Sequence, residues 1–309
     1  MGPRAVFADG EVTTATMTDP DQASLARRSA SWLHRHARLR LGLLLAAPGA
    51  WLVVVYLGSL LFYFSNAFWQ RDEFTGHIIH DFTFQNFAEL GAAPYPEITI
   101  RTVIMAIAVS LTCAIVAFPI AYYMARIARP RTRALLVVAI VVPLWASYVI
   151  KVYSWRLILA EEGVLNWALE PLGMRGPGQG ALAVWLVLSY LWLPYMVLPI
   201  YAGLERIPNS FLEASADLGG QSLTTFRRVV LPLTLPAVIA GSIFTFSLTL
   251  GDYIAPTLVS NTIFIGNAIF LNVGAAGDIP FAAAYSLVPL AIIVVYLLVA
   301  RRLGAFSAL

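Results

Sequence analysis

Residues that could hold phosphate groups are scarce in this sequence. Of its 20 basic residues, 19 are arginines and one is a lysine, Lys151. A phosphate-binding loop for ATP hydrolysis needs the pattern G-x-x-x-x-G-K-[ST], in which the lysine reaches the phosphates. Neither required glycine precedes Lys151. The chain therefore has no such loop and cannot hydrolyse ATP by that route.

Metal-binding side chains are few as well. His77 and His80 form an H-x-x-H pair with Asp72, Glu73 and Asp81 nearby. This spacing could place both rings on one face of a helix, but a metal site usually needs three or four fixed ligands. Solvated loop histidines are the preferred interpretation, so no metal centre is predicted, and a metal site is the alternative.

The composition points to a membrane protein. Of the 309 residues, 59% are hydrophobic and 12% are charged, whereas soluble domains carry about 25% charged residues. A soluble single domain and a disordered chain are excluded. The lone cysteine, Cys113, lies in an apolar run and is expected to be a packed thiol. The arginines form no groove-sized patch, so no nucleic-acid partner is expected.

Six apolar stretches are long enough to cross a bilayer, which takes about 20 residues as a helix. They lack the alternation of strands, so helices are predicted. The predicted spans are 41–64, 102–125, 134–155, 181–204, 229–251 and 279–300. The expected fold class is all-α integral membrane, with six transmembrane helices in one domain over residues 41–302.

The arginines predict the orientation of these spans, because cytoplasmic loops carry an excess of basic residues. Fifteen of the 20 basic residues lie in the segments 4–40, 126–133, 206–228 and 301–302. Both termini are therefore predicted to lie inside the cell. Residues 1–40 are expected to form a partly disordered cytoplasmic segment, and residues 303–309 a short cytoplasmic tail. The aromatic-rich segment 65–100 is expected to pack on the outer membrane face.

The loop 205–232, between spans 4 and 5, carries the strongest local pattern. It is predicted to be a helix–turn–helix, in which Ser210 and Glu213 form a capping box. Gly219 and Gly220 would end the first helix in the left-handed region. Ser222 would cap the next helix.

One side of the first helix in this loop is expected to show Phe211, Leu212, Ser215 and Leu218. Small alanines keep that helix slim, which suits insertion into a groove of a partner. Pro232 would begin span 5.

Glu213-Ala214-Ser215 in this loop is followed at fixed spacing by Gly219 and by Val229-x-Leu231-Pro232. This resembles the cytoplasmic loop of bacterial ABC importer permeases, with pattern E-A-A-x3-G-x9-I-x-L-P. Serine replaces the second alanine and valine the isoleucine, both small changes in volume. The resemblance implies a type I ABC importer transmembrane domain whose coupling helix docks into an ATPase. The coupling residues it implies are Glu213, Ala214, Ser215, Asp217, Gly219, Leu231 and Pro232.

The same resemblance implies the partners. They are a homodimer of ATP-binding subunits, which would hold ATP and magnesium, a second and different permease subunit, and an extracytoplasmic substrate-binding protein. The chain itself would be a multi-pass subunit of a bacterial inner membrane, with no cofactor and no ATPase site of its own.

The substrate branch is suggested by the stretches 142–155, 163–166, 193–201 and 251–256. They are similar to the spermidine/putrescine branch of these permeases, which implies a polyamine or a related small cationic solute. Permeases for iron, thiamine, phosphonates or opines are the alternatives. A secondary transporter or channel would need intramembrane carboxylates, of which Asp252 is the single candidate. A membrane enzyme is disfavoured, because no catalytic constellation is found.

Two ionisable residues near the spans are candidates for the substrate path. A charged side chain within a membrane is costly, so one found there is by default a candidate for a functional role. Asp252 lies between Gly251 and Pro256, a pattern typical of a broken helix. It would either meet a cation or cap the outer helical segment. Lys151 would either reach back to the outer interface or line the path.

Aromatic residues in spans 3 and 4 complete the predicted path. Tyr148, Trp192 and Tyr195 could hold ammonium groups on their ring faces. Helix packing and the aromatic belt at the lipid interface use the same residue types, and stay as alternatives. Pro143, Pro194 and Pro199 are expected to kink these spans.

Overall fold

The computed structural model describes residues 37–304 apart from Glu73. Most of the predicted N-terminal segment 1–40 and of the predicted tail 303–309 lies outside the described residues. The chain forms two units, Met1–Phe62 and Tyr63–Leu309. The described part of the first unit is helical, with α1 (Ala37–Trp51) followed by a π-helical turn and by the start of α2 (Gly58–Ser65).

The second unit contains the remaining helices and a two-residue antiparallel hairpin of β1 (Gln70–Arg71) and β2 (Ile78–Ile79). π-Helical turns extend α4 to Ile127 and join α10 to α11. The helices are α3 (Gln85–Glu89), α4 (Tyr95–Tyr122), α5 (Pro130–Trp145), α6 (Tyr148–Ile158), α7 (Val164–Leu169), α8 (Ala181–Glu205), α9 (Asn209–Asp217), α10 (Ser222–Thr225), α11 (Leu231–Gly251), α12 (Ile254–Val259), α13 (Ile265–Leu271) and α14 (Ile279–Arg302).

Within the described residues, five helical segments are apolar and long enough to cross a bilayer, and a bent pair of helices brings the number to six if the pair is counted as one span. The five are Leu44–Phe68, Tyr95–Ile127, Ala181–Glu205, Ser222–Gly251 and Ile279–Arg302. The helical membrane fold is therefore confirmed. Two helices begin well before the spans predicted from residue 102 and residue 229, because hydropathy marks the apolar stretch and not the end of the helix.

The third predicted span, 134–155, is wrong as a single helix. α5 ends at Trp145 and α6 begins at Tyr148, and the two helices are bent by 97°. Ala146 and Ser147 between them are extended, with ψ of 143° and 131°. Pro143 lacks the N–H that would bond within α5, so the last turn of α5 is weakened. A kink was expected at Pro143, and the structure instead has a complete interruption of the helix between Trp145 and Tyr148.

The core of the second unit lies among α4, α8 and α11. Small residues bring these helices close together: a Cβ on Gly203 would lie 2.5 Å from the Cβ of Ala237, and one on Gly241 would lie 2.8 Å from the Sδ of Met196. Membrane helices associate through such close packing. Cys113 is buried in this core, and its thiol donates to the carbonyl of Ser189 at 3.3 Å. It is therefore the packed thiol that was expected.

The segment 65–100 folds back on itself around aromatic rings. Phe68 stacks on Phe82 at 5.3 Å, and Phe84 meets Phe82 edge-on at 5.1 Å. The side-chain amide of Asn86 ties the segment together, donating to the carbonyls of Ala67 and Trp69 at 2.8 Å each. That this segment packs on the outer membrane face stays a prediction.

The turn of the β1–β2 hairpin is held by Asp72. Its carboxylate accepts from the backbone N–H groups of Phe74 and Thr75, each at 2.8 Å. These bonds hold the pKa of Asp72 below its usual value. The ring of His80 lies 4.3 Å from Trp69. Within residues 37–304 other than Glu73, no three histidine, cysteine or acidic side chains are grouped as metal ligands.

Candidate functional site

The loop between α8 and α11 is a compact pair of helices. α9 starts at Asn209, directly after Pro208, whose φ of −63° and ψ of 144° turn the chain into the helix. The predicted capping box is wrong, because Ser210 lies inside α9 and no side chain caps this end. Ser222 is likewise the first residue of α10 and not its cap. Proline at the N-cap position leaves the first turn without a side-chain acceptor.

The end of α9 confirms the predicted left-handed stop. Gly219 has φ of +76°, which side chains with a Cβ adopt at a cost. The N–H of Gly220 donates to the carbonyl of Ser215 at 2.8 Å, and that of Gly219 donates to Ala216 at 2.9 Å. This pair of bonds is a Schellman motif. A Cβ on Gly220 would lie 2.6 Å from the Ser215 carbonyl oxygen, so both glycines are needed.

Ser215, where the sequence departs from the E-A-A pattern, joins the two helices of the loop. Its hydroxyl lies 2.8 Å from that of Thr225 in α10. An alanine could not make this bond. The serine at this position therefore adds a hydrogen bond between α9 and α10.

The two sides of α9 have different surroundings. Leu212 is partly buried against the core, as is Phe226, whose ring meets Phe118 of α4 edge-on at 5.3 Å. Leu218 is 90% exposed and Phe211 is 51% exposed, so the four residues expected on one side are divided. Of the predicted coupling residues, Glu213, Ala214, Asp217 and Gly219 are exposed along the outward side.

Leu231 and Pro232 begin α11 itself. The continuous helical segment starts earlier, however, because α10 is joined to α11 by the π-helical turn Phe226–Val230. Pro232 has no N–H to donate, and the widened π-helical turn before it accommodates its ring within the segment. The loop helix and span 5 are consequently one continuous helical segment, Ser222–Gly251.

The predicted path residues meet at the other end of α11. The phenol of Tyr148 in α6 donates to Oδ2 of Asp252. Oδ1 of Asp252 accepts from the backbone N–H of Ile254 at 2.9 Å and from that of Ala255 at 3.2 Å. Asp252 therefore caps α12 and also holds Tyr148.

A row of aromatic rings continues from Tyr148. Its ring stacks on Trp192 of α8 with centroids 5.9 Å apart, and Trp192 lies 6.0 Å from Tyr195. Tyr195 in turn stacks on Phe244 of α11 at 6.3 Å. Phe244 was missed by the sequence reasoning. Its position two helical turns before Gly251 was the available signal.

Lys151 lies on α6 beside a separate small cavity of about 150 Å³. Pro143 of α5 and Tyr190 and Pro194 of α8 also line this cavity. Lys151 is only partly buried, and within the described residues it has no ion pair. The structure therefore brings together Tyr148, Trp192, Tyr195 and Asp252, but places Lys151 in a cavity of its own.

Comparison with known proteins identifies the family. Residues 117–307 match the family described as binding-protein-dependent transport system inner membrane component. The inner membrane ABC transporter permease protein YdcU of Escherichia coli (strain K12) is 44% identical over 309 residues, covering 95% of this chain and 98% of YdcU. The spermidine/putrescine transport system permease protein PotB of Escherichia coli (strain K12) is 32% identical over 247 residues, covering 77% of this chain and 88% of PotB.

Two solved structures share the fold. One is a bacterial ABC transporter involved in the import of the acidic polysaccharide alginate, with a TM-score of 0.62 at 16% identity over 89% of this chain and 99% of that chain. The other is a bacterial alginate ABC transporter in complex with an alginate pentasaccharide-bound periplasmic protein, with a TM-score of 0.63 at 15% identity over 90% and 97%. The chain belongs to the binding-protein-dependent transport system inner membrane components, and is the multi-pass permease subunit of a bacterial ABC importer.

Proposed function

We propose that this permease carries polyamines such as spermidine and putrescine, or a related small cationic solute, into the cell. The observation that carries the proposal is the row of aromatic rings from Tyr148 to Phe244, which begins at the carboxylate of Asp252. Ring faces attract ammonium groups, by about 0.5–2 kcal/mol each. Similarity to PotB, named as a spermidine/putrescine permease, supports the same substrate class.

In this proposal Asp252 acts in two ways. Its cap of α12 and its bond to Tyr148 set the position of that ring. Its negative charge attracts a cation to the end of the row, as an opposite charge does at close range. Lys151 lines a separate cavity and would lie outside the path. This position favours the proposal, because an unpaired ammonium in the path would repel a polycation. The fold shared with alginate importers carries no weight for the substrate, since identity to them is only 15–16%.

The energy would come from the partners. We propose that the exposed side of α9, with Glu213 and Asp217, docks into a homodimer of ATP-binding subunits that hold ATP and magnesium. Ala214, Ser215 and Gly219 would give α9 its slim shape and its stop, while Leu231 and Pro232 would connect it to span 5. A second, different permease subunit and an extracytoplasmic binding protein would complete the importer. Both termini of this chain would then lie in the cytoplasm, with α9 on the same side.

The test is uptake by the intact importer in proteoliposomes, supplied with its binding protein and with ATP on the α9 side. Labelled spermidine or putrescine should accumulate only with hydrolysable ATP, and should be displaced by the unlabelled polyamine. Accumulation of a phosphonate, an opine, thiamine or iron in place of polyamine would remove the polyamine assignment alone. Uptake without any ATPase subunit would instead indicate a secondary transporter.

A further inference from the structure

Arg126 connects the end of the α4 span to the end of α8 and the start of α9, which lie about 80 positions further along the chain. It lies in the π-helical turn Tyr123–Ile127 that ends the α4 span. Its Nη2 donates to the carbonyls of Leu204 and Ile207, each at 2.7 Å, and its Nη1 donates to Oδ1 of Asn209 at 2.8 Å. Asn209 is the first residue of α9. One guanidinium therefore holds the end of α8 and the start of α9 against the end of α4.

The chemistry of these contacts favours a fixed geometry. The Leu204 carbonyl lies in the last turn of α8, where it also accepts from the backbone N–H of Ile207 at 3.3 Å, and the Ile207 carbonyl lies just beyond the end of that helix at Glu205. A cation at this end also meets the negative pole of the helix. Bonds from a charged donor are stronger than neutral ones, and the planar fork reaches several acceptors at once. A lysine carries the same charge, but its single ammonium group cannot reproduce the planar arrangement of donors of the guanidinium.

A neighbouring contact gives a comparison. Arg133 of α5 pairs with Glu205 at 3.2 Å and donates to the carbonyl of Ala125 at 3.3 Å. Both side chains of that pair are more than a third exposed, at 37% and 41%. Exposed pairs of this kind contribute little. Arg126 makes three shorter bonds, of 2.7 and 2.8 Å, and is therefore the stronger connection.

From this geometry we infer that Arg126 is a positioning residue for energy coupling. It makes α9 and the α4 span move as one body. α9 is already joined to α8 and α11 through the chain, so Arg126 adds the third helix of the core. A displacement of α9 by a docked ATPase then reaches all three core helices together. The inference rests on the proposed docking of α9.

The test measures substrate moved per ATP hydrolysed by the intact importer in proteoliposomes. In Arg126→Lys this ratio should fall about tenfold, within the range by which residues between two coupled sites act. Asn209→Ala removes only the bond to α9 and should lower the ratio by less. In both variants the ATPase subunits should stay bound and ATP hydrolysis should continue. The control is Arg131→Lys, since Arg131 is an exposed arginine of the same segment.

A rescue separates positioning from a structural role. Asn209→Asp, added to Arg126→Lys, places a carboxylate opposite the shorter ammonium and should restore part of the ratio. An unchanged ratio in both Arg126→Lys and Arg126→Ala would overturn the inference alone. So would a parallel loss of uptake, hydrolysis and complex yield. A wild-type chain that binds no ATPase would overturn the proposed function as well.

Discussion

The loop around α9 and the aromatic row at Asp252 lie at opposite ends of α11 and are built differently. The loop is held by backbone bonds at Gly219 and Gly220 and by the bonds of Arg126 to α8 and α9. The row is held by ring contacts among three helices and by one carboxylate. The loop has a defined shape with an exposed side for a partner. In the proposed function the row would contribute ring faces, whose contacts with a cationic solute are weak individually.

The largest expected effect is on the loop. Glu213→Lys reverses an exposed charge on the side of α9 that is proposed to dock, and like charges facing each other across an interface are strongly unfavourable. We expect ATP-driven uptake to fall by more than about tenfold, with the folded chain and docking of the loaded binding protein unchanged. Proteoliposome uptake and a binding-protein pull-down measure the two.

The matched control for Glu213→Lys is Glu162→Lys, an exposed acid in the segment between α6 and α7. It should leave the response of ATP hydrolysis to the substrate intact. Full uptake and full substrate-stimulated hydrolysis in Glu213→Lys would show that α9 does not dock as proposed.

The next largest effect is expected at Asp252, at the other end of α11. Two substitutions there separate its hydrogen bonds to α12 and Tyr148 from its negative charge. Asp252→Ala removes the cap of α12, about 0.5–2 kcal/mol, and also the partner of Tyr148 and the charge. Asp252→Asn keeps the oxygen that accepts from Ile254 and Ala255, replaces the oxygen that accepts from Tyr148 by an NH2 group that can donate to the phenol oxygen, and loses the charge. We expect uptake to fall most in the alanine variant. The asparagine variant should raise the half-saturating polyamine concentration several-fold and keep the maximal rate, since the attracting charge is lost while the bonds to α12 remain.

Concentration series of labelled putrescine measure both parameters for the Asp252 variants. If Asp252→Asn equals the wild type in both, the carboxylate is a cap and a support for Tyr148 only. The aromatic row would then carry the attraction alone.

Within the row, Trp192 is the central ring. Trp192→Leu removes its face, and the loss of one cation–π contact corresponds to roughly a 2- to 30-fold higher half-saturating concentration. Trp192→Phe keeps a ring and should lie between leucine and the wild type. Trp167→Leu is the control, because that tryptophan is 73% exposed in α7. Equal uptake by the leucine and phenylalanine variants at Trp192 would indicate packing without contact to the solute.

The smallest expected effect concerns Ser215. Ser215→Ala restores the residue of the E-A-A pattern and removes the bond to Thr225, a loss of about 0.5–1.5 kcal/mol. We expect a slightly lower melting temperature and uptake within about twofold of wild type, because the Schellman bonds of Gly219 and Gly220 remain. Thr225→Val removes the other hydroxyl of the same bond, and should change the melting temperature and uptake as much as Ser215→Ala does. A larger loss in one variant alone would point to a contact with the partner subunit.

Local features were predictable from the sequence because their causes are local. Gly219 ends α9 in the left-handed region as predicted, since its own missing Cβ decides that conformation. The capping box at Ser210 failed because the N-cap is Pro208, two residues earlier. The bent third span was read as straight, since hydropathy measures transfer to lipid and contains no information about direction.

The sequence by itself determined the helical membrane class, the apolar spans and the loop motif, because each depends on residues close together in the chain. Only the tertiary structure decided that Tyr148, Trp192, Tyr195 and Asp252 meet, and that Arg126 reaches Leu204, Ile207 and Asn209. The contacts between different helices join residues about 40 to 100 positions apart, and packing of α4, α6, α8 and α11 creates them. Periodicity shows that a face is apolar, but the partner of that face is chosen by the fit of side chains across helices.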